Sequence, residues 1–280
     1  MDHIVGSRSK AFASICFETV KKSDIIAGMK EAVETATREV DWGYSPETLR
    51  RDLRFLRDQY GLRIRMGRKT IFDDVFSIDS IEKMNLREAA FHVGELTKEI
   101  AKYPPNLIRT SEVKTIRFAD FKARRFSRGT GGFYNQEEKI IYLLSFSFES
   151  FHHEIFHAFD TELEDPSNSY ENWVNIFPSF LYLGDELSCN VLELRKLRRK
   201  GFAGTWGRKN PLEDRATAAE ELMTMSRFYD PKKDKILTQK IKLIKEFFEV
   251  VSDGLMGKQY FRDLRGKRVG VDYWQQRKLK

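Results

Sequence analysis

Cysteine is scarce in this chain. Of 280 residues only Cys16 and Cys189 carry a thiol, far apart and outside any CxxC spacing. A disulfide framework and a thiolate metal site are therefore not indicated, and a reducing cytoplasm is the expected compartment. No apolar run approaches the ~18 residues that cross a bilayer. The first residues also lack the charged-then-apolar pattern of a secretion signal. A soluble protein with no membrane partner is expected. Histidine is limited to five positions, none of them after His157. The rest is ordinary for a packed globular chain, with 41% hydrophobic and 13% aromatic residues. The net charge of +7 and pI near 9.2 favour an acidic partner.

Three of the five histidines stand together, in His152-His153-Glu154-Ile155-Phe156-His157. Residues four apart share a helix face, so His153 and His157 can both reach one metal ion. Glu154 is then turned toward a water on that ion, as a zinc-peptidase site requires. His152 lies five residues from His157, the wrong spacing for the same face, and reads as a supporting or surface residue. Phe148, Phe151, Ile155 and Phe159 recur at spacings of three and four, so one side of this helix should enter the core.

With no histidine downstream, the search for a third ligand turns to carboxylates. Asn210 to Met223 reads as a helix, with Pro211 near its start and small alanines that permit close packing. Glu213 is the chosen ligand. Glu220, two turns later on the same face, is its rival. Asp160, three residues after His157, is a candidate to orient a ligand imidazole or to act as a weak alternative ligand.

Around this core, Asn85 to Tyr103 reads as a helix stopped by Pro104-Pro105, and 113–118 reads as a strand. Gly131-Gly132-Phe133-Tyr134 leads into an apolar strand around Ile140 to Leu144. In zinc peptidases of this kind a strand just before the active-site helix commonly forms the edge along which an extended substrate lies, and for Ile140 to Leu144 that role and a place as a sheet strand in the core can both hold. Ile236 to Val251 reads as an amphipathic helix. Arg195 to Lys200 and Arg262 to Lys280 are basic runs, most simply solvated faces.

HExxHxxD at His153 to Asp160, Gly201-Phe202, and Glu213-Asp214-Arg215-Ala216 occur in one order. In these motifs the chain resembles gluzincin metallopeptidases, in particular zinc-binding metallopeptidases related to the anthrax lethal factor catalytic domain. The resemblance covers about residues 85–230. It implies a zinc ion held by His153, His157 and Glu213, with Glu154 as general base. Two positions depart from the pattern. Trp206 stands where relatives often place a tyrosine that donates to the oxyanion, leaving its indole N–H, Tyr170 or Tyr182 for that task. Thr217 replaces the second acid of the EDxAE pattern, which leaves Asp160 as the group expected to buttress the histidines.

Residues 45–70 carry eight cations against Glu47, Asp52 and Asp58, a net +5. Ser45-Pro46-Glu47 reads as a helix start, with Leu49, Leu53 and Leu56 as its apolar stripe. Gly61 ends it, and Leu62 to Phe72 reads as a small hairpin. This string resembles the recognition helix and wing of winged helix-turn-helix regulators. The resemblance spans roughly residues 10–78, with weakly patterned helices near 10–22 and 24–40. It implies that Thr48, Arg50, Arg51 and Arg54 face double-stranded DNA and that Arg68 and Lys69 meet phosphates. A helix-hairpin that docks a protein is the plainer alternative.

The expected fold is α+β. A small winged-helix-like domain over 1–80 should precede a zincin-like metallopeptidase domain over 81–280, which has an active-site helix, a small mixed sheet and a basic tail. The expected function is that of a zinc-dependent endopeptidase acting in regulation, on a transcription factor or on itself. The rival is a DNA-binding regulator whose peptidase-like domain senses a ligand and cleaves little.

Overall fold

Ser45 caps the first described helix, α1 (Pro46–Tyr60). Its hydroxyl accepts the Thr48 N–H at 3.2 Å while the Thr48 hydroxyl accepts the Ser45 N–H at 2.7 Å, and Pro46 supplies a preset φ. Gly61, at φ 72°, closes the helix by donating its N–H to the Arg57 carbonyl. The computed structural model describes residues 45–66, 86–118, 131–143, 148–164, 169–176, 182, 194–224 and 232–278. All of them belong to one compact unit, Tyr44–Lys280.

After α1 come β1 (Arg63–Met66), α2 (Leu86–Ile100), α3 (Pro105–Thr110), β2 (Thr115–Phe118), β3 (Gly132–Asn135), β4 (Ile140–Leu143) and α4 (Phe148–Glu162). Then follow α5 (Ser169–Ile176), α6 (Leu194–Arg199), a 3-10 turn at Trp206–Arg208, α7 (Pro211–Thr224), α8 (Lys235–Val251), α9 (Lys258–Arg265) and α10 (Tyr273–Lys278). The architecture is α+β with a small mixed sheet, as expected. Pro104 and Pro105 punctuate as anticipated: α2 ends before them, and Pro105 opens α3.

The sheet order is β1-β2-β4-β3, with β1, β2 and β4 parallel and β3 antiparallel to β4. Arg63 to Met66 pairs with Thr115–Phe118 in parallel register, and the remainder of the expected hairpin, from residue 67 on, lies outside the described residues. Ile140 to Leu143 is an interior strand, not the edge. Among the described residues, the edge strand near the active-site helix is β3, which turns through residues 136–139 into β4. The Asn135 side chain accepts the Glu138 N–H at 3.0 Å within that turn.

The division expected near residue 80 falls within the single unit that begins at Tyr44. Leu49, Leu56 and Tyr60 of α1 lie in the same core cluster as Ile116, Ile141 and Phe151. The Tyr60 hydroxyl donates to the Tyr103 carbonyl at 3.3 Å. Residues 1–44, with the helices expected near 10–22 and 24–40, lie outside the described residues, as do Arg68 and Lys69.

Phe151, Ile155 and Phe159 of the expected α4 stripe are buried, Phe148 at the helix start is only partly so, and Phe156 joins the core instead. Phe151, Ile155, Phe156 and Phe159 pack with Tyr103 and with Phe247 and Phe248 of α8. On its other side α4 meets α7, where Ala216, Ala218 and Ala219 are buried. Residues this small let two helices approach closely, which brings Glu213 to the histidines. The C-terminal basic run is folded onto the core: Trp274 donates to the Ala101 carbonyl at 2.9 Å and Tyr260 to the Lys102 carbonyl at 2.6 Å. No helix among the described residues is long and apolar enough to cross a membrane.

Candidate metal centre

His153 and His157 project from one face of α4 toward the first turn of α7. The Nε2 of His153 lies 3.0 Å from Glu213 Oε2 and 3.1 Å from His157 Nε2, and His157 Nε2 lies 3.6 Å from the same carboxylate oxygen. These three residues form a group whose ligand atoms converge. Bonds of about 2.0–2.1 Å in a tetrahedron put neighbouring ligand atoms about 3.3–3.5 Å apart, and the three separations bracket that range. Two imidazoles and a carboxylate also form the nitrogen and oxygen donor set that suits zinc. The residues fit such an ion.

Without a metal, the ionisation of the group is mutual. Burial works against charge on His153, but the hydrogen bonds of Glu213 and Glu220 and the nearby Glu154 raise it to about 10. Burial would raise the Glu213 carboxyl, and the two histidines outweigh this and hold it well below the usual carboxylate range.

Glu154 faces the same cavity from the opposite side of the motif. Its carboxyl is raised by burial, against the lowering influence of His153 and His157, and the Tyr134 backbone N–H bonds to it. Gly132 makes this approach of β3 possible. A Cβ there would lie 3.0 Å from Glu154 Cγ and 2.6 Å from the Tyr142 carbonyl oxygen. The cavity measures about 750 Å³ and is lined by residues including Phe133, Tyr134, Trp206 and Lys209, together with the metal-centre side chains.

The supporting residues sort differently from their sequence reading. Asp160 does not orient a ligand imidazole. It holds the fully buried Arg215 of α7 through both carboxylate oxygens, at 2.6–3.1 Å, and the Ser169 hydroxyl accepts from the same guanidinium at 3.0 Å. A buried guanidinium needs a carboxylate, and Asp160 is the one it finds. Rings of Phe156, Trp173 and Phe247 surround Arg215 at 5.6–5.8 Å.

Tyr182 is likewise engaged away from the cavity. Its hydroxyl donates to Asp214 at 2.8 Å, beside Trp173 Nε1 at 3.1 Å and the buried Lys240 ammonium. Burial pushes the Asp214 carboxyl up to about 6 and Lys240 down, while their attraction opposes both shifts. Tyr170 is 43% exposed, its ring over Arg215, and does not line the cavity. Of the oxyanion candidates only Trp206 does.

His152, buried behind the motif, takes part in another network. Its Nε2 meets Glu99 at 2.6 Å, and its Nδ1 meets the Tyr103 hydroxyl at 2.8 Å. Sequence reasoning missed Lys209 in the cavity wall, Glu99, and the placement of Glu220. Their spacing to the motif carries no periodic signal, because they arrive from other helices and turns. Among the DNA candidates, Thr48 serves the α1 cap, while Arg50, Arg51 and Arg54 lie on the exposed side of α1.

No family model matches the sequence, and no curated protein matches it. Among solved structures, the chain is similar to the crystal structure described as "a putative zinc-binding metallo-peptidase" from Bacteroides caccae ATCC 43185. The TM-score is 0.53 at 14% identity, over 81% of this chain and 94% of that one. At that identity the likeness establishes a metallopeptidase-like fold.

Proposed function

We propose that the chain is a zinc-dependent endopeptidase of the gluzincin type, similar to the peptidases related to the anthrax lethal factor catalytic domain. One observation carries the proposal. His153, His157 and Glu213 converge at near-tetrahedral separations, with the Glu154 carboxylate buried beside them. Zinc bound there supplies Lewis acidity toward water and toward a peptide carbonyl.

The remaining work belongs to the protein. Glu154, with its proton affinity raised by burial, takes a proton from the attacking water and delivers it to the leaving amine. The extended substrate adds to β3, the edge strand that lines the cavity, not to β4. Trp206 and Lys209, each carrying an N–H donor, are the cavity-lining candidates to stabilise the charge that develops on the scissile carbonyl. The direct test is zinc content. Glu213→Ala should lose stoichiometric zinc, and its full retention would break the proposed ligand set.

A second reading makes the chain a DNA-binding regulator whose peptidase-like unit senses a ligand and cleaves little. The exposed arginines of α1 favour it: the side chains of Arg50 and Arg51 are 73% and 70% accessible. Trp206, in place of the tyrosine found in relatives, also favours low turnover. Replacing Arg50, Arg51 and Arg54 with alanine should weaken duplex binding and flatten its salt dependence by about one counterion per lost phosphate contact. Wild-type protein with no DNA affinity at low salt would end this reading.

A further inference from the structure

His153 is held from both ends by one helix. Glu213 approaches its Nε2 at 3.0 Å, and Glu220 approaches its Nδ1 at 3.2 Å. Seven residues make nearly two turns, so both carboxylates leave the same face of α7 about 10 Å apart along its axis. The imidazole lies between them. Thr217, one turn after Glu213, has no part in this, because its hydroxyl turns back to the Glu213 carbonyl at 2.7 Å. Glu220 is also outside the group of converging ligand atoms.

We infer that Glu220 is the positioning residue of the metal centre: it accepts the Nδ1–H of His153 and so directs the Nε2 lone pair at the ion. A carboxylate on the far nitrogen fixes both tautomer and ring orientation of a ligand histidine, and it raises the basicity of the nitrogen that binds. The acid missing at position 217 is thereby supplied one turn later. Glu220 is well placed for this because its side chain lines the cavity while His153 is almost fully enclosed. His157 shows no comparable carboxylate on its Nδ1 among the described contacts, so the two ligand histidines are held unequally.

The inference rests on the metal-centre reading, and its test separates the two. In the full-length chain, zinc affinity measured against a competing chelating dye should fall by about 10- to 100-fold in Glu220→Ala. Glu220→Gln, whose amide oxygen still accepts from Nδ1–H, should remain close to wild type. The thermal unfolding midpoint of the zinc-free Glu220→Ala protein should not move in proportion. Nitrogen-15 spectra of the zinc-loaded wild type should show His153 protonated at Nδ1 and slow to exchange, and this measurement stands even if Glu220→Ala does not fold. Unchanged affinity in Glu220→Ala beside loss in Glu213→Ala would overturn the positioning role alone. So would equal weakening in Glu220→Gln and Glu220→Ala, or a His153 that carries its proton at Nε2. Wild-type protein that takes up no zinc would overturn the metal centre itself, and this role with it.

Discussion

Arg215 grips Asp160 through both carboxylate oxygens across the seam between the helix that carries the histidines and the helix that carries Glu213. Both groups are nearly sealed from solvent. Removing one partner leaves an uncompensated buried charge, at a cost of about 3–5 kcal/mol. Asp160→Ala should therefore lower unfolding free energy by roughly that amount in urea titrations. Asp160→Leu combined with Arg215→Met should recover part of the loss. A single substitution that changes stability by less than about 1 kcal/mol would show that the pair does not hold the seam.

Gly132→Ala tests how closely β3 must approach the proposed base. The added methyl would contact Glu154 Cγ and the Tyr142 carbonyl, and a displacement of about 1 Å near reacting groups costs on the order of 100-fold in rate. A large loss in kcat is expected, with zinc content and circular dichroism close to wild type. Full activity in this variant would show that Glu154 does not depend on the fit to β3.

Acid stability should report on Glu99. Burial alone would raise its carboxyl, but His152 and Lys102 outweigh this and bring it down to about 2, from an ordinary value near 4.5. A carboxyl depressed in the folded state contributes stability above the unfolded value and loses it as pH falls toward the folded one. Wild-type stability should thus decline between about pH 4.5 and 2. Glu99→Gln should be less stable at neutral pH and should show a shallower acid decline. Parallel pH curves for the two proteins would remove Glu99 as a contributor.

Local chemistry explains what could be read in advance. Ser45-Pro46 and Gly61 bound α1 because caps act within a few residues, and the Phe stripe of α4 emerges from periodicity alone. The pairing of β1 with β2 was not legible, since strand partners fifty residues apart leave no local mark. The edge position of β3 was hidden in the same way. Of the candidate site, HExxH could be located from spacing, whereas Glu213 rests on the helix read over Asn210 to Met223 and on the family resemblance, with Glu220 as its rival. That Asp160 meets Arg215 while Glu220 meets His153 depends on how α7 rotates against α4, and no pattern within either helix determines that.

The most direct measurement compares wild type with Glu154→Gln for zinc content and for hydrolysis of unfolded protein substrates. The amide can hydrogen-bond to water but cannot take its proton. The account predicts one zinc per chain in both proteins and hydrolysis by the wild type only. Wild-type protein without zinc, or equal hydrolysis by the two, would contradict it.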